Sequence, residues 1–223
     1  MARPRAVKRR HAKRKKAVRT SRKAPAEPLP DTLGVVLGLD VSSKTAGWCL
    51  FKNGQLSTFG KFHPPGVAKR HGERLEGYQN WLTEMLETHQ PDHVVVELPY
   101  PGPRRSAYGV LMQYFGILQA TYYRWSGQEH PETCWMTPRL VKQILKVRAG
   151  VSYETRKRLM VLLMNRMYKL SLRYKPKDGG KVSDDDIADA IALTHVWHML
   201  RSRHPRQDDT PPDEADAMRV SIG

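Results

Sequence analysis

Four acidic residues stand in stretches of the sequence that are otherwise apolar. Asp40 follows the aliphatic residues VVLGL, and Glu97 follows the run VVV. Asp186 and Asp189 lie three residues apart in the stretch DIADAIAL, so a helix would place both carboxylates on one face. Burying an acid in such a run is costly unless the acid is paired or binds a cation. The four residues are therefore candidates for one shared site.

Carboxylates that converge repel one another, and divalent cations are the usual remedy. Oxygen ligands without clusters of histidine or cysteine favour Mg²⁺, with Mn²⁺ as a substitute, over Zn²⁺. Two such ions about 4 Å apart can activate a water and stabilise the leaving oxygen of a phosphodiester. The pattern therefore predicts a nuclease with two ions in each active site. Acids at the start of a helix also have a simpler interpretation. Asp184 and Asp185 are expected to cap the helix or to lie in solvent, with Ser183 as the N-cap, and the same alternative stays open for Asp186.

The positive charge of the chain is concentrated in two segments. The sequence has 38 Lys and Arg against 22 Asp and Glu, and 12 of the basic residues lie in residues 1–23, which contain no acid. Residues 139–181 contain 13 basic residues and two acids. The first segment predicts a cationic arm that binds nucleic acid without sequence preference, and the second predicts a basic surface on the folded domain. A solubilising tail or transit peptide, and a merely solvated helix face, stay open as alternatives.

The elements that must position these residues can be predicted from apolar runs and turn residues. With Asn53-Gly54 as a hairpin turn, strands are predicted at Val35–Val41, Ala46–Lys52, Gln55–Phe62, His93–Leu98 and Thr133–Thr137. Helices are predicted over 67–89, 106–125, 138–147, 153–172 and 183–201. Three antiparallel strands followed by alternating helices and strands predict an α/β fold, a mixed sheet flanked by helices. We expect a basic arm and linker at 1–32, a domain at 33–201 and a flexible tail at 202–223.

These motifs, in this order, resemble those of the RuvC family of Holliday junction resolvases, which have a ribonuclease H-like fold. The resemblance rests on the segments LGLDVSSKTAGWCLF, VVVELPY, SAYGVLMQYFGIL, TPRLVKQIL and DIADAIAL, and it covers about residues 34–200. It implies that the metal ligands are Asp40, Glu97, Asp186 and Asp189. The chain departs from the family after the first ligand, where Val41-Ser42 replaces the usual Pro-Gly.

The same resemblance assigns two functional lysines and an aromatic residue that contacts the junction. Lys142 and Lys157 fall at or near the positions of the family's functional lysines, and Tyr100 falls where the family has an aromatic junction wedge. Lys157 follows the segment KVRAGVSYE, which replaces a Gly-rich turn of the family. The remaining expected DNA-binding residues are basic, and they are Arg104, Arg105, Arg139, Lys146, Arg148 and Arg156.

The resemblance implies a homodimeric, Mg²⁺-dependent endonuclease that resolves Holliday junctions or other branched DNA by paired nicks. A two-fold dimer supplies the two active sites that paired nicks need. Two alternatives stay open. One is a non-catalytic DNA-binding protein on the same fold. The other is an actin-like ATPase, because the segment GLDVSSKTAG superficially resembles the phosphate loop of such enzymes. The N-terminus lacks the apolar stretch of a secretory signal, and no apolar run approaches the roughly 18–20 residues of a membrane span. We therefore expect a cytoplasmic, nucleoid-associated protein with no membrane partner.

Overall fold

The computed structural model describes residues 34–42, 44–65, 70–99, 105–127, 134–147, 150–174 and 183–203. The predicted arm at 1–32 and nearly all of the predicted tail at 202–223 lie outside these residues, so the domain boundaries stay predictions. Three predicted DNA-binding residues also lie outside them, namely Tyr100, Arg104 and Arg148. None of the described helices is long and apolar enough to cross a membrane.

The described strands form one five-stranded sheet. β1 (Val35–Val41), β2 (Ala46–Lys52) and β3 (Gln55–Phe62) pair antiparallel, whereas β1, β4 (His93–Glu97) and β5 (Cys134–Met136) are parallel neighbours. The order across the sheet is β3-β2-β1-β4-β5, so β1 lies at its centre. Continuous aliphatic runs in β1 and β4 suit strands that are covered on both faces. The predicted α/β class and mixed sheet are confirmed.

The described part of the chain contains five helices, α1 (His71–His89), α2 (Arg105–Ser126), α3 (Pro138–Ile144), α4 (Tyr153–Tyr168) and α5 (Asp185–Arg203). Two of them end earlier than predicted, because residues soon after their last turns adopt left-handed backbone angles. These residues are Lys146, with φ 53°, after α3 and Lys169, with φ 54°, after α4. α5 begins later than predicted: the Asp184 carbonyl accepts a bond of 3.0 Å from the Ala188 N–H. Asp184 thus takes the N-cap position predicted for Ser183.

Apolar side chains from the helices cover both faces of the sheet. Leu37 and Leu39 of β1 pack with α1 and α2, and Val36 packs with α3, α4 and α5 on the opposite face. Successive strand residues point to opposite faces, so Gly38 and Asp40 share the second face with Val36. We refer to this second face as the α5 face of the sheet.

Two glycines let α5 approach the sheet closely. A Cβ on Gly38 would collide with the Thr194 hydroxyl, and a Cβ on Gly47 would collide with the Asp186 carbonyl. Gly47 of β2 is paired with Asp40, and Asp40 lies two residues further along β1 than Gly38. α5 therefore runs antiparallel to β1, and its first turn lies over the carboxyl end of that strand.

Candidate active site

A row of residues crosses the sheet at the carboxyl end of the central strand β1. Asp40 of β1 pairs with Gly47 of β2, and Gly47 pairs with Lys61 of β3. On the other side of β1, the parallel pairing with β4 places Glu97 in the position next to Asp40. Paired residues point to the same face of a sheet, so Lys61, Asp40 and Glu97 all lie on the α5 face. Two of the four predicted carboxylates are thus neighbours because of strand register alone.

α5 brings the other two predicted carboxylates to this edge. Its first turn contains Asp186, whose backbone contacts Gly47, and Asp189 follows one turn later on the same side of the helix. The surrounding residues Ala188, Ala190 and Ile191 are buried against the sheet. The positive end of the helix dipole also lies over the carboxyl end of β1, where it favours negative charge.

The carboxylates of this site share an electrostatic cost. Burial raises the pKa of Asp40 well above its usual value, and the negative charges of Glu97 and Asp189 raise it further. Burial also raises the pKa of Glu97 to about 7, with Asp189 adding to the effect. Burial raises the pKa of Asp189 to about 6. Acids held this way favour a proton or a cation, which is a common property of functional sites.

Two lysines partly offset the negative charge. Lys142 of α3 and Lys157 of α4 both act to lower the pKa values of Glu97 and Asp189. The structure therefore brings both predicted lysines to the predicted carboxylates. Burial alone would lower the pKa of Lys157, but its hydrogen bond and ion pair with Asp185 outweigh burial and raise the pKa.

The acids at the start of α5 make more hydrogen bonds and ion pairs than the sequence suggests. The expectation that Asp185 caps the helix or lies in solvent is wrong, because its partly buried carboxylate bonds the Lys157 ammonium. Burial tends to raise the pKa of Asp185, but the bond from Lys157 lowers it overall. The Asp184 carboxylate accepts a hydrogen bond of 2.8 Å from the Arg173 N–H, which ties the segment after α4 to the start of α5.

Two further residues contact this site that the sequence analysis did not assign to it. The Thr45 hydroxyl donates a hydrogen bond of 2.6 Å to Asp186 Oδ2, and Lys61 Nζ lies 3.7 Å from the same oxygen. Lys61 also donates to the Ser183 carbonyl. Strand alternation in β3 is the sequence signal for Lys61, but a bulge between the partners of Leu50 and Phe51 shifts the register on which that signal depends.

The donor set fits a hard divalent cation by its chemistry. It consists of carboxylate oxygens whose mutual repulsion a cation would relieve. As the side chains stand, however, no group of three or more His, Cys, Asp or Glu residues within the described ranges is placed to hold a metal ion. The two Mg²⁺ ions predicted from the sequence therefore stay a prediction.

The predicted DNA-binding residues are spread more widely. Arg139, near the start of α3, and Lys146, two residues after its end, are exposed, and Arg156 on α4 is partly buried. Arg105 is the first residue of α2, and its side chain lies outside the described part of the chain. Among the members of the predicted set whose side chains the structure describes, Lys142 and Lys157 are brought to the carboxylates.

Comparison with solved structures identifies the fold. RuvC of Thermus thermophilus in complex with a Holliday junction substrate matches with a TM-score of 0.58 and 17% identity, over 76% of this chain and 96% of that chain. A second T. thermophilus RuvC structure matches with a TM-score of 0.53 and 19% identity, over 77% of this chain and 96% of that one. The yeast mitochondrial Holliday junction resolvase Ydc2 matches with a TM-score of 0.52 and 14% identity, over 81% and 82% of the two chains.

These are similarities of structure, because sequence identities of 14–19% are too low to establish a relationship by themselves. No protein-family model and no curated protein matches the sequence. The chain has a RuvC-like, ribonuclease H-like fold.

Proposed function

We propose that this protein is a divalent-metal-dependent endonuclease that resolves Holliday junctions or other branched DNA by paired nicks. The observation that carries the proposal is the convergence of Asp40, Glu97 and Asp189, from three separate elements, at one edge of the sheet. A set of mutually repelling carboxylates is suited to cations that promote phosphodiester hydrolysis. The RuvC-like fold supports this reaction class, because solved structures similar to this one are of Holliday junction resolvases.

In this proposal the four carboxylates hold two Mg²⁺ ions, for which Mn²⁺ can substitute. When bound, the ions supply an activated water and stabilise the leaving oxygen. Lys142 lies close enough to Glu97 and Asp189 to lower their pKa values, so its charge can also stabilise negative charge developing on the scissile phosphate. Lys157 is held by Asp185, and its ammonium has further N–H donors for a phosphate oxygen.

The DNA would lie along the basic residues that flank the carboxylates. Arg139 lies on α3, the helix that carries Lys142, Lys146 follows the end of that helix, and Arg156 neighbours Lys157 on α4. We include Tyr100 in this proposed surface because of the family resemblance. We include Arg104 and Arg105 because they lie near Glu97 in sequence, and Arg148 because it belongs to the basic segment 139–181. Contacts of this kind position a duplex through its phosphates and carry no sequence information by themselves.

Paired nicks require two active sites, so we propose a homodimer. The outward side of α2 is a suitable surface, because Gly109 and Gly116 lie two turns apart there and a Cβ on either would meet no atom within 4 Å. Met112 and Tyr123 on the same side are 39% and 47% exposed. Small residues between larger apolar ones let two helices pack closely.

Cleavage of a synthetic four-way junction tests the proposal. We expect the wild-type protein to nick opposite strands when Mg²⁺ is added, and Asp40→Asn and Asp189→Asn to lose at least about 100-fold in rate because each removes a carboxylate that would hold the cations. Glu87→Gln, which neutralises an exposed acid on α1, is the matched control and is expected to cleave normally.

Two outcomes would contradict the proposal. If Asp40→Asn or Asp189→Asn cleaved at the wild-type rate, the site would be wrong. If the wild-type protein bound junctions without nicking them in Mg²⁺ or Mn²⁺, the non-catalytic DNA-binding function would replace it.

A further inference from the structure

One carboxylate of the candidate site, that of Asp186, is held from outside the predicted active-site residues. The Thr45 hydroxyl donates a hydrogen bond of 2.6 Å to Oδ2, across 141 positions of sequence. The Lys61 ammonium lies 3.7 Å from the same Oδ2. Because both contacts are to Oδ2, the second oxygen, Oδ1, is the one that a cation can share.

Thr45 is fixed in place by the turn that joins β1 to β2. The Ser42 N–H and hydroxyl donate to the Thr45 carbonyl, at 2.9 and 2.7 Å, and the Thr45 N–H donates back to the Ser42 hydroxyl at 3.2 Å. These bonds join the two ends of the β1–β2 connection, which begins two residues after Asp40. The Thr45 hydroxyl is thereby fixed relative to the first carboxylate of the site while it holds the third.

Lys61 restrains the same region from the other side. Its side chain is 15% exposed, and its ammonium donates to the Ser183 carbonyl and lies 4.0 Å from Asp184 Oδ1. The start of α5 is therefore attached to β3 by Lys61 and to the β1–β2 turn by Thr45. Such support from a neighbouring group commonly orients a ligating carboxylate, and its loss typically lowers metal affinity about 10- to 100-fold.

We propose that Thr45 is a positioning residue for Asp186, and that it orients this carboxylate so that Oδ1 is presented to a divalent cation at the candidate site. Lys61 assists by keeping the start of α5 against the sheet. The inference rests on the proposed nuclease function, since it assigns Asp186 the role of a cation ligand. Its test nevertheless includes cation binding without DNA.

Isosteric substitution at Thr45 is the sharpest experiment. Thr45→Val preserves the shape of the side chain and removes the hydroxyl, whereas Thr45→Ser preserves the hydroxyl. We expect Thr45→Val to weaken Mn²⁺ binding by the metal-free protein, measured calorimetrically, by about 10-fold or more. We expect kcat for junction cleavage to fall with it while KM for DNA stays the same. Thr45→Ser should recover most of both losses.

Thr83→Val is a matched control, because Thr83 on α1 donates its hydroxyl to the Gln79 carbonyl at 3.0 Å, remote from the carboxylates. It is expected to bind Mn²⁺ and to cleave as the wild type does. If Thr45→Val does not fold, as judged by circular dichroism, Thr45→Ala removes the same hydroxyl without adding bulk and takes its place.

The outcomes separate this inference from the proposed function. Wild-type Mn²⁺ affinity in a folded Thr45→Val protein would overturn the positioning role, even if the wild-type enzyme cleaves junctions. A wild-type protein that cleaves no DNA, but whose Mn²⁺ affinity falls on Thr45→Val and on loss of the Asp186 carboxylate, would overturn the nuclease proposal and leave the positioning role standing. A wild-type protein that binds no divalent cation would overturn both.

Discussion

Asp189 shows at the scale of one residue what the arrangement of the site costs. Burial raises its pKa from 3.8 to about 6, the charges of Asp185 and Asp186 act in the same direction, and Lys157 and Lys142 oppose them. The folded protein therefore binds this proton more tightly than the unfolded chain does. Without a cation, the contribution of Asp189 to the free energy of unfolding therefore falls as the pH rises from about 4 to about 6, and its full penalty applies above that range.

We therefore expect Asp189→Asn to stabilise the metal-free protein at pH 8 and to have little effect at pH 4. A shift from 3.8 to about 6 corresponds to about 1–3 kcal/mol in the free energy of unfolding once coupling to the neighbouring acids is allowed for. Urea unfolding in EDTA at the two pH values measures the difference. Burial also lowers the pKa values of His195 and His198 to about 4, which destabilises the folded protein at acidic pH. The wild type and Asp189→Asn share these histidines, so the effect cancels in the comparison.

Glu87→Gln again serves as the matched control, since it removes an exposed negative charge and should change stability little at either pH. An equal gain for Asp189→Asn at pH 8 and at pH 4 would contradict the electrostatic explanation. Such a result would instead indicate that the amide simply packs better.

At the scale of elements, Lys61 links the β2–β3 hairpin to α5. Its ammonium bonds the Ser183 carbonyl and lies near two carboxylates, with only 15% of the side chain exposed. We expect Lys61→Met to lower the free energy of unfolding by about 1.5–3 kcal/mol at neutral pH, because it removes a charged hydrogen bond and leaves neighbouring acids uncompensated.

The measurement is urea unfolding without divalent cations, compared with Lys52→Met. Lys52 lies on the same hairpin but is exposed, so its loss should cost within about 0.5 kcal/mol. Similar losses for the two variants would show that Lys61 does not hold α5 to the sheet.

The hairpin also shows why part of the site could not be predicted. The Asn53-Gly54 turn and the apolar runs give β1, β2 and β3 at the predicted bounds, because period, propensity and turn chemistry all agree. Counting back from the turn would put Gly60 opposite Gly47. A bulge between the partners of Leu50 and Phe51 shifts the register by one residue, so Lys61 takes that position instead.

Predicting the four carboxylates required less information about the tertiary structure than predicting the position of Lys61. Asp40 and Glu97 end strands that their own aliphatic neighbours identify, and the spacing of Asp186 and Asp189 needs only a helix. The role of Thr45 and the pairing of Asp185 with Lys157 depend on how α5, α4 and the β1–β2 turn meet in space. Contacts over more than a hundred positions, such as Thr45 with Asp186, leave no local signal in one sequence.

At the scale of the whole molecule, the sequence separates a basic arm from the folded domain. Twelve Lys and Arg lie in residues 1–23, so the arm accounts for most of the net charge of +16. Charge of this kind raises affinity for any polyanion and cannot by itself produce two nicks at defined strands. Symmetric cleavage needs a geometric relation between two active sites, which a dimer provides.

A substitution on the outward side of α2 can test the proposed dimer without harming the fold. Replacing an exposed helical glycine improves helix propensity by up to about 1 kcal/mol, so Gly116→Arg should leave the protomer folded. A charged side chain there would separate two helices packed through this side. We therefore expect Gly116→Arg to sediment as a monomer in analytical ultracentrifugation under conditions where the wild type is a dimer.

Gly72→Arg is the matched control, because Gly72 is an exposed glycine of α1 that also has open space around it. It is expected to remain dimeric and to cut both strands of a junction within one binding event.

Gly116→Arg should nick only one strand of a junction in each binding event. A plasmid with an extruded cruciform reports the difference, since paired nicks linearise it and single nicks only relax it. A dimeric Gly116→Arg protein that still linearises the plasmid would place the two-fold axis elsewhere on the molecule, and a monomeric wild type that linearises it would show that paired cleavage needs no dimer in solution.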